Sequence, residues 1–361
     1  MKKFLALLLA VVMVFALAAC GSSSTTTAST STDVAAATEA PAQEETPAAA
    51  EEPAAEEEPE AEPLTLNIAY MPNYGSLWAV TTAIEKGYFA DDNITVNLVE
   101  FADGPTIIAA MESGSIDIGY IGQGAHKLCI QGRAKIFALS HISNGDAVIG
   151  GEGITSIADL KGKTVAYSSG TSSEDILLQA LASEGMTMDD ITAMDMEASN
   201  IVTAMLSGGV DACATWSPNS LKILEEDSNA TRLCGNIDFS DTSVSLASWI
   251  VMADYADANY DTLLRFTKCL YQAMDYAADG NYEEVAQYVA NQTKTDYDSV
   301  YEQRGDADWL TGAEVAEGAA DGTVENYYYI QQQGFLASGA VEEEVPVSDY
   351  VMLDLMVEAA E

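Results

Sequence analysis

From Leu64 onward the chain alternates short apolar runs with amphipathic stretches, and the two periods separate cleanly. Runs with β-branched and aromatic residues predict strands over 64–70, 94–101, 116–121 and 135–142, while three- and four-residue apolar spacing predicts helices over 76–88, 104–112 and 123–131. A second, similar series follows. It has strands over 147–150, 164–167, 192–196, 210–216 and 231–234, a short helix over 156–160, and helices opening at Thr171 and over 199–207 and 218–226. A long apolar strand over 244–252 then carries the chain back, and everything from Asp257 reads helical, over 260–278, 282–291, 325–337 and 349–360. Short strands alternating with helices imply βαβ units on parallel sheets. The expected architecture is therefore α/β and bilobal: a clamshell of two parallel-cored sheets with flanking helices, the chain crossing twice. Lobe 1 takes 64–143 and 245–361, with the helical C-terminal part, and lobe 2 takes 144–244.

The stretch 163–181, KTVAYSSGTSSEDILLQAL, organises the second series. Thr164 to Tyr167 is strand-like, Gly170 permits a turn closed to other residues, and Thr171 is an N-cap candidate with Glu174 as its capping-box partner. A strand turning through glycine into a capped helix aims N–H groups and a positive dipole end at one point, which suits an anion. Gly170, Thr171, Ser172 and Ser173 are candidate ligand residues on that ground. Parallel sheets bind ligands at the carboxyl ends of their strands. The loops there contribute Asn73, Tyr74, Gln123 and Asp146, the last a candidate partner for a ligand amine. Trp216, ending its strand before Pro218, and Trp249, on the return strand, are candidate cleft walls. Asp117 and Asp211 recur in one phrase, G-x-(I/V)-D-(I/A), and read as structural groups rather than as a catalytic pair.

Charge and composition change the picture at the N-terminus. Lys2 and Lys3 precede an apolar run from Phe4 to Leu17, which reads as an export signal over 1–19. Leu17-Ala18-Ala19-Cys20 resembles the lipobox of bacterial lipoproteins, which implies cleavage before Cys20 and lipid on its sulfur. Residues 20–63, rich in Ser, Thr, Ala, Pro and Glu and free of Lys and Arg, read as a disordered acidic tether. Such a tether fits the outer face of a single-membrane cell. Two of the 14 basic residues fall in the leader and 11 of the 57 acidic ones in the tether, leaving about −34 on the remainder. A field of that sign repels nucleic acid and works against steering an anion, so any anion site must be local. Cys129, Cys213, Cys234 and Cys269 lack metal-site spacing and read as small buried residues, with pairing left open.

Six phrases in order carry a family resemblance: Glu85 to Phe89, Glu100 to Pro105, Ser113 to Gly119, Asp159 to Tyr167, Gly170 to Ser173 and Gly209 to Pro218. They resemble the solute-binding lipoproteins of ABC importers for aliphatic sulfonates, taurine and nitrate, whose fold the thiamine-pyrimidine precursor proteins of yeast type share. The resemblance implies a type II periplasmic-binding-protein-like fold and a membrane-anchored monomer outside the cell. It implies capture of a small organic anion or zwitterion, handed to an ABC permease and its ATPase, with no cofactor, metal or nucleic acid. No Arg or Lys stands beside the serine-rich helix start, and Glu174 and Asp175 occupy its first turn. A heteroaromatic ligand such as a thiamine pyrimidine precursor is therefore the alternative. A surface sensor or adhesin is a further one. An enzyme on the same fold would need a base beside Ser172, and neither His126 nor His141 stands in a recognisable arrangement with it.

Overall fold

Strands and helices follow one another from Leu64 to about residue 250 largely where the hydropathy pattern puts them. The computed structural model describes residues 62–361. The expected leader, the lipidation site Cys20 and nearly all of the acidic tether lie outside the described residues. The first series is β1 (Leu64–Tyr70), α1 (Tyr74–Glu85), α2 (Tyr88–Asp91), β2 (Ile94–Glu100), α3 (Gly104–Glu112), β3 (Ile118–Gly122), α4 (Gln123–Ile130) and β4 (Ala134–Ser143). The second is β5 (Asp146–Gly150), β6 (Thr164–Tyr167), α5 (Ser172–Ser183), β7 (Thr192–Asp195), α6 (Ala198–Leu206), β8 (Ala212–Trp216), α7 (Asn219–Glu226) and β9 (Thr231–Gly235). β10 (Leu246–Met252) returns the chain. It is followed by α8 (Ala253–Ala258), α9 (Tyr260–Tyr276), α10 (Tyr282–Thr293), α11 (Tyr297–Glu302), β11 (Ala307–Trp309), α12 (Gly312–Asp321), α13 (Thr323–Ser338) and α14 (Leu353–Glu358).

The strands form two sheets, in the orders β11-β4-β10-β3-β1-β2 and β7-β6-β8-β5-β9. Each has a parallel core of three strands, β2-β1-β3 and β7-β6-β8. Neither sheet is parallel throughout. β10 runs antiparallel between β3 and β4, and β5 antiparallel between β8 and β9. The two sheets thus share one strand order, and in each the antiparallel member is the strand that arrives through a crossing. β4 leads into β5, and β9 leads through residues 236–245 into β10.

Asp117 and Asp211 serve that order identically. The Asp117 carboxylate accepts the N–H of Asn67 in β1 at 2.8 Å, and that of Asp211 accepts the N–H of Thr164 in β6 at 2.8 Å. Each aspartate occupies a ladder position with its side chain, so β3 and β8 begin later than hydrophobicity alone suggests. Burial on lobe 2 follows the two-residue period of a strand. Val165, Ala212 and Ala214 pack on one face under α5, while Ala166, Cys213 and Ile149 pack on the other with α6. Lobe 1 buries a single larger core that takes in α9, α10 and α13.

One expectation is overturned. The region after Asp257 is not helical throughout, because Ala307–Trp309 forms β11, which pairs antiparallel with β4 at its edge. Three residues are too few to display alternation, and the helices on either side mask them. The four domain cysteines are buried and unpaired. Among the described residues no helix is long and apolar enough to cross a membrane, and no cluster of His, Cys, Asp and Glu could hold a metal ion.

Candidate ligand-binding cleft

The carboxyl ends of β1, β3, β6 and β8 meet the two crossings around one space of about 80 Å3, a volume for several water molecules. At its floor lies Asp146, the first residue of β5, only 3% exposed. Its Oδ1 accepts the Ser172 hydroxyl at 2.5 Å, and its Oδ2 accepts Asn236 Nδ2 at 2.9 Å and the Ser245 hydroxyl at 3.3 Å. The main chain joins in: Asp146 N–H donates to Asn236 Oδ1 at 2.9 Å, and Arg232 Nη2 donates to the Asp146 carbonyl at 3.2 Å. One carboxylate thereby ties the first crossing to the second and to the start of α5. Burial raises its pKa, and the donations from Ser172, Asn236 and Ser245 oppose that rise.

The start of α5 is less of an anion cradle than its sequence implies. Gly170 turns at φ +77°, and its N–H donates to Glu174 Oε2 at 2.9 Å, so Glu174 serves Gly170 rather than closing a capping box on Thr171. Thr171 caps the helix by accepting the Ser173 N–H at 3.2 Å. Ser173 is fully buried, its hydroxyl donating to the Ala214 carbonyl at 2.8 Å and accepting the Ser168 N–H at 3.0 Å. Ser173 therefore turns away from the cleft, which corrects the expectation for it, while Gly170 stands beside the lining residue Pro105 without itself lining the space. Thr171 and Ser172 do line it, together with Asn73, Gln123, Asp146 and Trp216.

Two aromatic expectations are also corrected. Trp249 is 1% exposed and packs in the lobe 1 core between Tyr120 and Phe266, at 5.5 and 5.7 Å between ring centroids. Its strand position points it into the sheet, not out of the strand end. Tyr74 is fully buried behind the lining, its ring against Trp309 at 4.9 Å and its N–H donating to Gln303 at 2.9 Å. The wall that sequence reasoning missed comes from the hidden β11 segment: Gln303, Asp306 and Trp309 all line the space. Trp309 lies 4.6 Å from His141 and 5.1 Å from Trp78, and β11 places it opposite His141. The only signal in the sequence was Gly305-Asp306, a turn pair interrupting the helical pattern.

Charge in this space is one-sided. Among the described lining residues there are two carboxylates, Asp146 and Asp306, and no lysine or arginine. Burial pushes His141 down to about 3, which keeps it neutral at physiological pH. Burial pushes Asp306 up to about 6 from 3.8. Between those two values the folded protein keeps a proton that the unfolded chain has released, so the ionised carboxylate costs stability above about pH 6 and the cost fades toward pH 4. Asp306→Asn is accordingly expected to melt above the parent at pH 7.5, with the advantage shrinking through that window on acidification. A difference in melting temperature that does not vary with pH would contradict the burial of this charge.

The lobes meet directly beside the cleft, where α4 crosses the start of α5. A Cβ built on Gly124 would lie 2.1 Å from the Thr171 carbonyl carbon and 2.5 Å from Ser172 N, so main chain touches main chain here and only glycine fits. Lys127 of α4 pairs with Glu174 of α5 at 3.3 Å alongside.

A strand-end cavity between two α/β lobes of matching strand order has known counterparts. The sequence model of the NMT1/THI5 like family matches residues 76–284, more than half of the chain. The chain belongs to that family. A Brucella abortus (strain 2308) protein that bears the name of a binding protein is 29% identical over 291 residues, covering 81% of this chain and 91% of that one. The taurine-binding periplasmic protein of Escherichia coli (strain K12) is 23% identical over 187 residues, 51% of this chain and 58% of its own. Among solved structures, the alkanesulfonate-binding protein of Xanthomonas axonopodis pv. citri bound to MOPS superposes with a TM-score of 0.61 at 22% identity, covering 81% of this chain and 99% of that one. The NMT1/THI5 like chain described here has the bilobal α/β fold of such proteins. These relatives are binding proteins, not enzymes.

Proposed function

We propose that this chain is the solute-binding component of an ABC importer, held on the outer face of the membrane by lipid on Cys20, and that its solute carries amino groups. The observation that carries the ligand class is the cavity lining: two carboxylates, the buried Asp146 and the half-buried Asp306, with Tyr120, Trp216 and Trp309 beside them and no cationic side chain. Carboxylates accept hydrogen bonds from N–H groups, and aromatic faces stack on a flat ring. An amino-substituted heteroaromatic of the thiamine-pyrimidine type satisfies both. A taurine-like zwitterion is the second reading, favoured by Thr171 and Ser172 at the start of α5, where a helix N-terminus meets the cavity. A plain sulfonate offers nothing to the two aspartates.

The lobes close over the solute, and the closed form is what the permease receives. Titration calorimetry with an aminopyrimidine alcohol, taurine and an alkanesulfonate lacking the amine tests the order of affinity. The expected order is aminopyrimidine first and plain alkanesulfonate last; a reversed order sinks the ligand class. Tryptophan fluorescence supplies an independent check. Binding should change emission, Trp216→Phe and Trp309→Phe should each diminish the change, and Trp249→Phe should leave it intact. Cys20→Ser is expected to release the protein from the membrane fraction.

A further inference from the structure

A second space opens on the other side of the α4–α5 contact, between α5 of lobe 2 and α13 of lobe 1. It measures about 530 Å3, larger than the cleft cavity and within the range of small-molecule sites. Its walls are mostly apolar, with Leu178, Leu181, Met186 and Met188 on one side and Phe335 and Ala337 on the other. Three polar side chains that line it are buried, and each has an atom without a partner: Asp175 Oδ2, Gln123 Oε1 and Gln331 Nε2. Asp175 is only 7% exposed. Gln331 is fixed from behind, its Oε1 accepting from His126 Nδ1 at 2.7 Å, which leaves its amide nitrogen as the donor.

Buried polar groups are almost always hydrogen-bonded, and three unpaired ones on side chains that line a single cavity point to something that completes them. The set comprises two acceptors, one of them a carboxylate, and one donor, within apolar walls. We propose that this groove is a second binding site, for a small apolar amino alcohol whose ammonium donates to Asp175 and Gln123, whose hydroxyl accepts from Gln331, and whose apolar body lies between Leu178 and Phe335. Burial pushes Asp175 up to about 7, with Lys127 opposing the rise, so an incoming ammonium gains from supplying the missing positive charge. Gln123 lines both spaces, and both lobes contribute to the groove, so its occupant also bears on how the lobes sit.

The probe is 2-amino-1-(4-bromophenyl)ethanol, titrated calorimetrically into the intact protein. Two variants test the site in different ways. Asp175→Asn removes the charge at constant shape. Gly334→Leu fills the groove from α13, where a Cβ meets nothing within 4 Å, and substitutes a better helix former. Binding is expected in the parent, at least tenfold weaker in Asp175→Asn, and absent in Gly334→Leu at matched melting temperature. Bromine anomalous scattering from a soaked crystal should place the ring between α5 and α13. Three outcomes overturn the proposal: no binding at millimolar probe, parental affinity in both variants, or bromine located in the Asp146 cleft.

Discussion

Gly124→Ala is expected to hold the two lobes apart. The added methyl would meet Thr171 C, Thr171 O and Ser172 N at 2.1, 2.4 and 2.5 Å, all main-chain atoms of the opposite lobe. Main chain at a helix start cannot rotate away as a side chain can, so the clash is relieved by separating α4 from α5. Overpacking of this kind costs about 1–3 kcal/mol or more. If the open form is favoured by about 3 kcal/mol, the binding-competent fraction falls to roughly one in a hundred, and apparent affinity falls about a hundredfold with it. Small-angle scattering of the unliganded variant should show a longer maximum dimension than the parent, with melting temperature nearly unchanged because no contact within lobe 1 is strained. A scattering profile that superposes on the parent's would remove Gly124 from any account of closure.

Asp146→Ala is expected to combine the largest loss of stability with loss of ligand binding. The substitution strands the donors of Ser172, Asn236 and Ser245, which all converge on one buried carboxylate. Hydrogen bonds to a charged group contribute about 1.5–3 kcal/mol each, and some of that is recovered because burial already disfavours the charge. A net loss of about 3 kcal/mol would lower the melting temperature by roughly 5–10 °C. The same three donors position the two crossings, so ligand affinity should fall further than removal of one ligand contact explains. Asp146→Asn, which keeps the shape and one acceptor oxygen, should recover part of the stability. Parental melting by the alanine variant would show that the network is not what joins the crossings.

The parts of this molecule that were legible in the sequence are those with a period. Val165 and Ala166 fall on opposite faces because a strand alternates, and Ile176, Leu177, Ala180 and Leu181 bury together because a helix repeats every 3.6 residues. Asp146 was legible as a loop aspartate beside a strand end, but its burial was not, because Asn236 and Ser245 lie about a hundred residues away. Trp249 and Trp216 look alike as strand tryptophans. They differ in where along the strand they stand, and only the terminal one reaches the cleft. Ser173 and Ser172 are adjacent on one helix turn, yet one side chain is taken by the Ala214 carbonyl and the other by Asp146. No pattern in the local sequence distinguishes them.

The placing of β10 bears on the order in which the two lobes can fold. Lobe 2 completes its sheet from one unbroken stretch, 146–235, whereas β3 and β4 of lobe 1 have no common neighbour until residues 246–252 follow the whole of lobe 2. A chain emerging N-terminus first can therefore pair all five strands of lobe 2 while two strands of lobe 1 still present open, apolar edges. Sequence-distant pairings form late, and unpaired edges are the ones that join other chains. A product truncated anywhere between Gly235 and Leu246 would keep a finished second lobe and an unfinished first one. Lobe 1, which supplies the first strands of the described chain, is therefore the lobe that finishes last.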